Sequence, residues 1–120
     1  MILVDTSVWV DHLRKGDEQL AQYLNAAQVL AHPFVIGELA LGQLSQRRRV
    51  LDALRALPQA IVATEDEVFD FIERHRLHGL GIGYVDAHLL AAAHLTPDTR
   101  LWTRDRRLHE AAERLAKALR

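Results

Sequence analysis

No cysteine occurs among the 120 residues. Disulfide frameworks and thiolate metal sites are thereby excluded, and a reducing compartment is the natural setting. Long apolar runs are missing too. The longest, Leu89 to Ala93, is far short of the roughly 20 residues needed to cross a bilayer. Neither sign of charge dominates. Fifteen basic side chains against sixteen acidic ones leave a net charge of −1, which excludes a protein that coats nucleic acid by bulk electrostatics but leaves room for a local basic patch. The opening residues lack a basic segment and a signal-type apolar core, because Asp5 interrupts them at once. No internal repeat or low-complexity segment is present. The expectation is one soluble, cytoplasmic domain over residues 1–120, long enough for a real core with little room for a second.

What is present begins at Ile2-Leu3-Val4-Asp5-Thr6-Ser7. A short apolar run reads as a strand buried on both faces, as in parallel sheets. Thr6 and Ser7 are favoured helix N-caps, and Val8-Trp9-Val10 with Leu13 supplies the apolar stripe of a helix. Asp5 then falls at the carboxyl end of a central strand, where sheets flanked by helices place their ligands. Gly16-Asp17 marks a break before a helix over 18–25, and Gln28-Val29-Leu30-Ala31 reads as a second strand. Pro33 starts a helix through 34–44, and another over 47–57 is ended by Pro58. Ala60-Ile61-Val62-Ala63 reads as a third strand. Thr64 and Glu67 make a capping box for a helix over 65–78, expected to bury Val68, Phe69, Phe71 and Ile72. Glycines 79, 81 and 83 form a flexible connection into a helix over 85–95. Arg100-Leu101-Trp102-Thr103 is a fourth strand, and 105–119 a closing helix. The alternation predicts a three-layer α/β/α sandwich around a parallel sheet with right-handed crossovers.

An ordinary surface acid lies on the polar side of its helix, as Asp66, Asp70 and Glu73 do. Glu38, Asp86 and Asp105 do not. Glu38 has Phe34, Val35, Leu41 and Gly42 three and four residues away; Asp86 shares a stripe with Leu89, Leu90 and Ala93, and Asp105 with Leu108 and Ala112. A carboxylate on an apolar stripe must be paired, hydrogen-bonded or bound to a metal. For any one of them a helix cap or an arginine pair is the ordinary explanation. Four acids at strand ends and helix starts, Asp5 included, can instead converge on one crevice. Their repulsion would be relieved by a divalent cation, and oxygen-only ligands favour Mg²⁺ or Mn²⁺. Such a site suits phosphodiester hydrolysis by a metal-activated water.

Four segments carry a family resemblance. They are Ile2-Leu3-Val4-Asp5-Thr6-Ser7-Val8-Trp9, Gly37-Glu38-Leu39-Ala40-Leu41-Gly42, the run from Gly81 through Asp86 to Ala91, and Leu101-Trp102-Thr103-Arg104-Asp105-Arg106-Arg107-Leu108. In this order, and nearly end to end, they resemble the PIN-domain ribonucleases and, more narrowly, VapC toxins of toxin–antitoxin modules. The resemblance implies an acidic quartet of Asp5, Glu38, Asp86 and Asp105, an Mg²⁺ cofactor and an RNA substrate. It makes Asp5, Asp86 and Asp105 the metal contacts and Glu38 a water-mediated ligand or a positioner of the nucleophile. Thr6 and Thr103 match hydroxyl positions that hydrogen-bond the carboxylates. A VapB-like antitoxin reaching the acids, and a homodimer, are also implied. The family adds a short strand after its final helix, whereas residues 116–120 read as helix here. The expected sheet therefore has four to five strands.

Other residues are read more plainly. Arg47-Arg48-Arg49 is taken as a solvated helix face. Arg106 and Arg107 flank the acids and are candidates for RNA phosphate contact. The seven histidines lack the paired spacing of a helical zinc enzyme, the glycine run lacks a phosphate-loop ending, and Trp9 and Trp102 suit a core or an interface. The alternative function is a PIN-like RNA- or protein-binding module without turnover. A phosphoacceptor domain is disfavoured because Lys15 and Lys117, its only lysines, are not placed for it.

Overall fold

The computed structural model describes residues 1–119. Ile2, Leu3 and Val4 form β1 (Ile2–Val4), buried on both faces as its unbroken apolar run predicts. It is the middle strand of a parallel sheet. On one side lies β2 (Val29–Leu30), with Ile2 opposite Val29; on the other lies β3 (Arg100–Trp102), with Leu3 opposite Leu101. Helices α1 (Thr6–Lys15) and α2 (Glu18–Asn25) connect β1 to β2. Between β2 and β3 come α3 (Pro33–Ala40), α4 (Arg47–Ala56), α5 (Glu65–His75) and α6 (Tyr84–Leu95), and α7 (Arg106–Arg114) follows β3. The architecture is a three-layer α/β/α sandwich. No helix among the described residues is long and apolar enough to cross a membrane.

The strand expected over 60–63 is absent. Only Gln59 bridges to Ala31, through Ala31 N–H to Pro58 O and Ala60 N–H to Ala31 O, each 2.9 Å. The ladder stops because the next residues on the β2 side are His32 and Pro33, which turn into α3, and proline has no N–H to offer. The closing helix is also shorter than expected. It ends at Arg114, Ala116 turns left-handed (φ 58°), and the chain then runs along β3. Leu101 N–H donates to Lys117 O at 2.7 Å and Leu119 N–H to Leu101 O at 2.9 Å. The sheet is thus three strands with one bridge on each edge. Arg120 lies outside the described residues.

Two helices depart from expectation in detail. The one begun by the Thr64–Glu67 capping box ends at His75, with Arg76 left-handed. Val68 and Phe71 are buried on it, but Phe69 is 52% exposed, one position off that face. The helix at Pro33 ends at Ala40, four residues early. By contrast α6 is buried continuously from Ala87 to Ala93, His88 included, so it is a core helix packed on β3 and α5.

His32 caps the helix that will carry Glu38. It is fully buried, and its Nδ1 accepts the Phe34 N–H at 3.0 Å. Burial, and then the neighbouring His88, push its pKa down to about 4. A protonated Nδ1 would also lose the cap. The unfolded chain takes up this proton near 6.5, so stability is complete above that pH and falls as pH drops toward 4. Between pH 7 and pH 5 the loss is expected to be about 2 kcal/mol. His32→Asn keeps a cap acceptor that does not titrate, so it should flatten the profile. His75 and His88, shifted down first by burial, leave some slope behind. Urea midpoints at the two pH values check this, and identical profiles for both proteins would contradict it.

Candidate active site

Asp5 leaves β1 at its carboxyl end, buried, with its N–H bonded to Trp102 O at 2.9 Å. Its Oδ2 accepts two hydroxyls, Thr103 Oγ1 at 2.7 Å and Ser7 Oγ at 2.9 Å. Each hydroxyl in turn accepts a backbone N–H from the turn after β3: Thr103 from Asp105 and Ser7 from Arg104, both at 3.0 Å. The end of the central strand is therefore tied to the turn that carries Asp105.

The other acids are held in the same manner. Glu38 Oε1 accepts the Thr6 hydroxyl at 2.7 Å, Asp86 Oδ2 accepts Gly83 N–H at 3.0 Å, and Asp105 Oδ1 accepts Leu108 N–H at 3.0 Å. Asp86 and Asp105 thus do cap their helices, as the ordinary reading of single acids holds. Yet each of the four uses only one oxygen, and the second has no hydrogen-bond partner among the described residues. No basic side chain among the described residues is ion-paired with any of them.

The acids act on one another. Burial raises the pKa of Asp86, the Gly83 amide works against that rise, and the charges of Asp5, Asp105 and Glu38 add to it. Positions 5, 38, 86 and 105 lie near enough to one another at the carboxyl edge of the sheet for the other three charges to act on Asp86, but no three His, Asp or Glu side chains among the described residues stand together as a ready metal site. Glu38 and Asp105 are exposed rather than inward-facing. The buried face of α3 is Val35, Ile36 and Leu39, whereas Leu41, counted with Glu38 in the sequence, is 91% exposed.

Thr6 and Thr103 stand beside the acids as expected. Neither Thr6 nor Ser7 caps α1, however; the cap position is Asp5, and both hydroxyls are engaged with carboxylates instead. Ser7 was missed as a site residue, and its signal was a hydroxyl two positions after a strand-end acid. The arginines separate. Arg106 lies along α7 toward Glu110 at 3.7 Å. Arg107 packs over Gly81, where an added Cβ would come within 2.5 Å of its guanidinium and where φ is +77°. Arg104 is paired with Asp11 and Asp17.

The family model for the PIN domain matches residues 2–114. The chain belongs to the PIN-domain family. This PIN domain is 50% identical over 119 residues to a protein named ribonuclease VapC32 in two strains of Mycobacterium tuberculosis, covering 99% of this chain and 96% of that one. Among solved structures, FitAcB from Neisseria gonorrhoeae aligns with a TM-score of 0.62 at 22% identity, over 94% of each chain. PAE2754 from Pyrobaculum aerophilum aligns with a TM-score of 0.59 at 18% identity, over 92% of this chain and 78% of the other. At those identities the likeness concerns the fold.

Thr103→Val removes a donor to a buried carboxylate and the acceptor for Asp105 N–H, and is expected to cost about 2–3 kcal/mol in metal-free buffer. Ser7→Ala, which leaves Thr103 in place, should cost about 1–2 kcal/mol. Urea unfolding gives both values, and a Thr103→Val protein as stable as the parent would refute the tie.

Proposed function

We propose that this PIN domain is an Mg²⁺-dependent endoribonuclease that hydrolyses RNA phosphodiester bonds, with Mn²⁺ as a substitute, and that it is the toxin of a toxin–antitoxin module. The observation that carries the reading is the set of four carboxylates with no basic partner among the described residues, each hydrogen-bonded through one oxygen only. The likeness to a protein named as a ribonuclease supports the substrate class.

The donor set fits a hard divalent cation, since it is oxygen only and has no counter-charge of its own. No group of three His, Asp or Glu side chains among the described residues stands as a ready site for one ion. Asp5, Asp86 and Asp105 would hold the cation together with water molecules, which Mg²⁺ keeps in its coordination sphere. When bound, the cation supplies Lewis acidity and offsets the negative charge of the acids and the phosphodiester.

The chain's own groups do the rest. The Ser7 and Thr103 hydroxyls both donate to the Asp5 carboxylate and fix its orientation. Glu38, oriented by the Thr6 hydroxyl, would accept a hydrogen bond from a water and align it on phosphorus. Water adds to phosphorus and gives up a proton to solvent, the P–O bond to the leaving oxygen breaks as that oxygen takes a proton from solvent, and no covalent enzyme intermediate forms. Arg107, at the loop that leads into α6, is the better candidate of the two for a backbone phosphate, because Arg106 has Glu110 beside it.

A cognate VapB-like antitoxin, a second copy of the chain and a cytoplasmic setting complete the proposal. An open groove supports a partner segment that reaches the acids, since Val10, Leu13, Leu39 and Val50 line it beside Arg14 and Glu38. Exposed Phe69, Tyr84 and Leu41 offer further apolar surface. Light scattering should report a dimer, and a monomer at high concentration would remove that part.

Cellular RNA incubated with the purified protein should be cut into discrete fragments with Mg²⁺ and left whole with EDTA. Asp86→Asn should lower the rate at least ~100-fold while the protein stays folded. Undiminished cleavage in EDTA, or by the Asp86→Asn protein, would sink the mechanism.

A further inference from the structure

Arg104 stands between Thr103 and Asp105, the two residues by which β3 enters the site. Its N–H donates to Ser7 Oγ at 3.0 Å, so its backbone is part of the hydroxyl tie to Asp5. Its side chain is held at three points. Nε lies 2.8 Å from Asp11 Oδ2, Nη2 lies 2.6 Å from Asp17 Oδ2, and Cζ sits 5.8 Å from the centre of the Trp102 ring. Asp11 belongs to α1. Asp17 caps α2, its Oδ1 accepting Leu20 N–H at 2.9 Å, and its own N–H donates to His12 Nδ1 at 3.0 Å. One guanidinium therefore joins α1, the start of α2 and the end of β3.

A solvated surface pair leaves its arginine free to wander and adds little. This one differs. The three charged side chains are only 40%, 33% and 20% exposed, and a planar guanidinium held by two carboxylates and an aromatic face has a single geometry. Its charge is also taken up by protein acids, so it is not on offer to a phosphate.

We propose that Arg104 is a positioning residue: clamped by Asp11, Asp17 and Trp102, it locks the turn that sets Thr103 and Asp105 against Asp5. The proposal rests on the reading of the four acids as a cation-binding site, and it adds the device that keeps one of them in register. The role is exerted through Asp105 and Thr103, without contact between Arg104 and substrate.

Arg104→Ala tests it, with Arg74→Ala as a control that breaks an exposed arginine–aspartate pair on α5. In metal-free protein, amide hydrogen exchange at Asp105 and Leu108 should rise at least ~10-fold in Arg104→Ala and stay unchanged in the control. Mn²⁺ affinity, measured by calorimetry without RNA, should fall about 10- to 100-fold, as for other groups that support metal ligands. In the cleavage assay the half-saturating Mn²⁺ concentration should rise, the rate recovering at high Mn²⁺ with KM for RNA unchanged. Arg104→Lys, able to reach one acid at a time, should fall between Arg104→Ala and the parent. Unchanged exchange together with unchanged Mn²⁺ affinity overturns the clamp. A raised KM for RNA with intact Mn²⁺ affinity overturns it too, and makes Arg104 a phosphate contact. If the parent protein neither binds Mn²⁺ nor cuts RNA but exchange still rises in Arg104→Ala, the clamp stands and the ribonuclease reading falls.

Discussion

Four carboxylates gathered without a basic partner are the constraint on which the rest of this domain depends. Burial and then the charges of Asp5, Asp105 and Glu38 weigh on Asp86, and none of the four has a basic partner among the described residues. Attraction between the acids cannot hold such an arrangement; tethers to the frame must. The tethers are two hydroxyls on Asp5, one on Glu38, and the helix-start amides that bond Asp86 and Asp105. Each fixes one oxygen and leaves the other directed by geometry alone. The bonds on Asp86 and Asp105 also satisfy the amides at their helix starts.

The tethers are only as good as the elements that carry them. A central parallel strand delivers Asp5, and its neighbours bring the chain to Glu38 and Asp105 at the same edge. The helix bearing Asp86 is buried along most of its length, so the acid at its start is anchored by the core rather than by the surface. Both outer strands of the sheet are closed by a single bridge, which leaves no long open edge for another chain to pair with. His32 joins these two concerns. It is a buried base that must stay neutral to cap the helix of Glu38, so loss of the core and loss of the site are coupled at low pH.

Positive charge is arranged around the acids rather than among them. Arg104 is held by Asp11 and Asp17, Arg106 has Glu110, and Arg107 covers a glycine that has no Cβ to obstruct it. Had one of these arginines entered the crevice, it would have neutralised a carboxylate and removed the need for a cation. Placed outside, they leave the acids their charge, and two of the three have acidic partners of their own.

Much of this was legible in the chain alone. The apolar run before Asp5, the capping box at Thr64 and the helix-start places of Asp86 and Asp105 follow from periodicity and helix-start chemistry, which act over a few residues, whereas the inward face read for Glu38 and Asp105 does not hold, since both are exposed. Non-local hydrogen bonding was not legible. Residues 60–63 have strand-forming side chains, yet Pro33 leaves them no ladder to join. Residues 117–119 look helical, yet β3 has an open edge that they close. Ser7 and Arg104 looked like a cap and a basic residue. Only their partners, nearly a hundred positions away for Ser7 with Thr103 and Arg104, made them parts of the site. Residue types and local spacing thus determined which elements form and which acids are candidates, because those choices depend on neighbours in sequence. The tertiary structure decided which oxygen of each acid is tied and which is left, because that depends on groups the fold alone brings within hydrogen-bond reach.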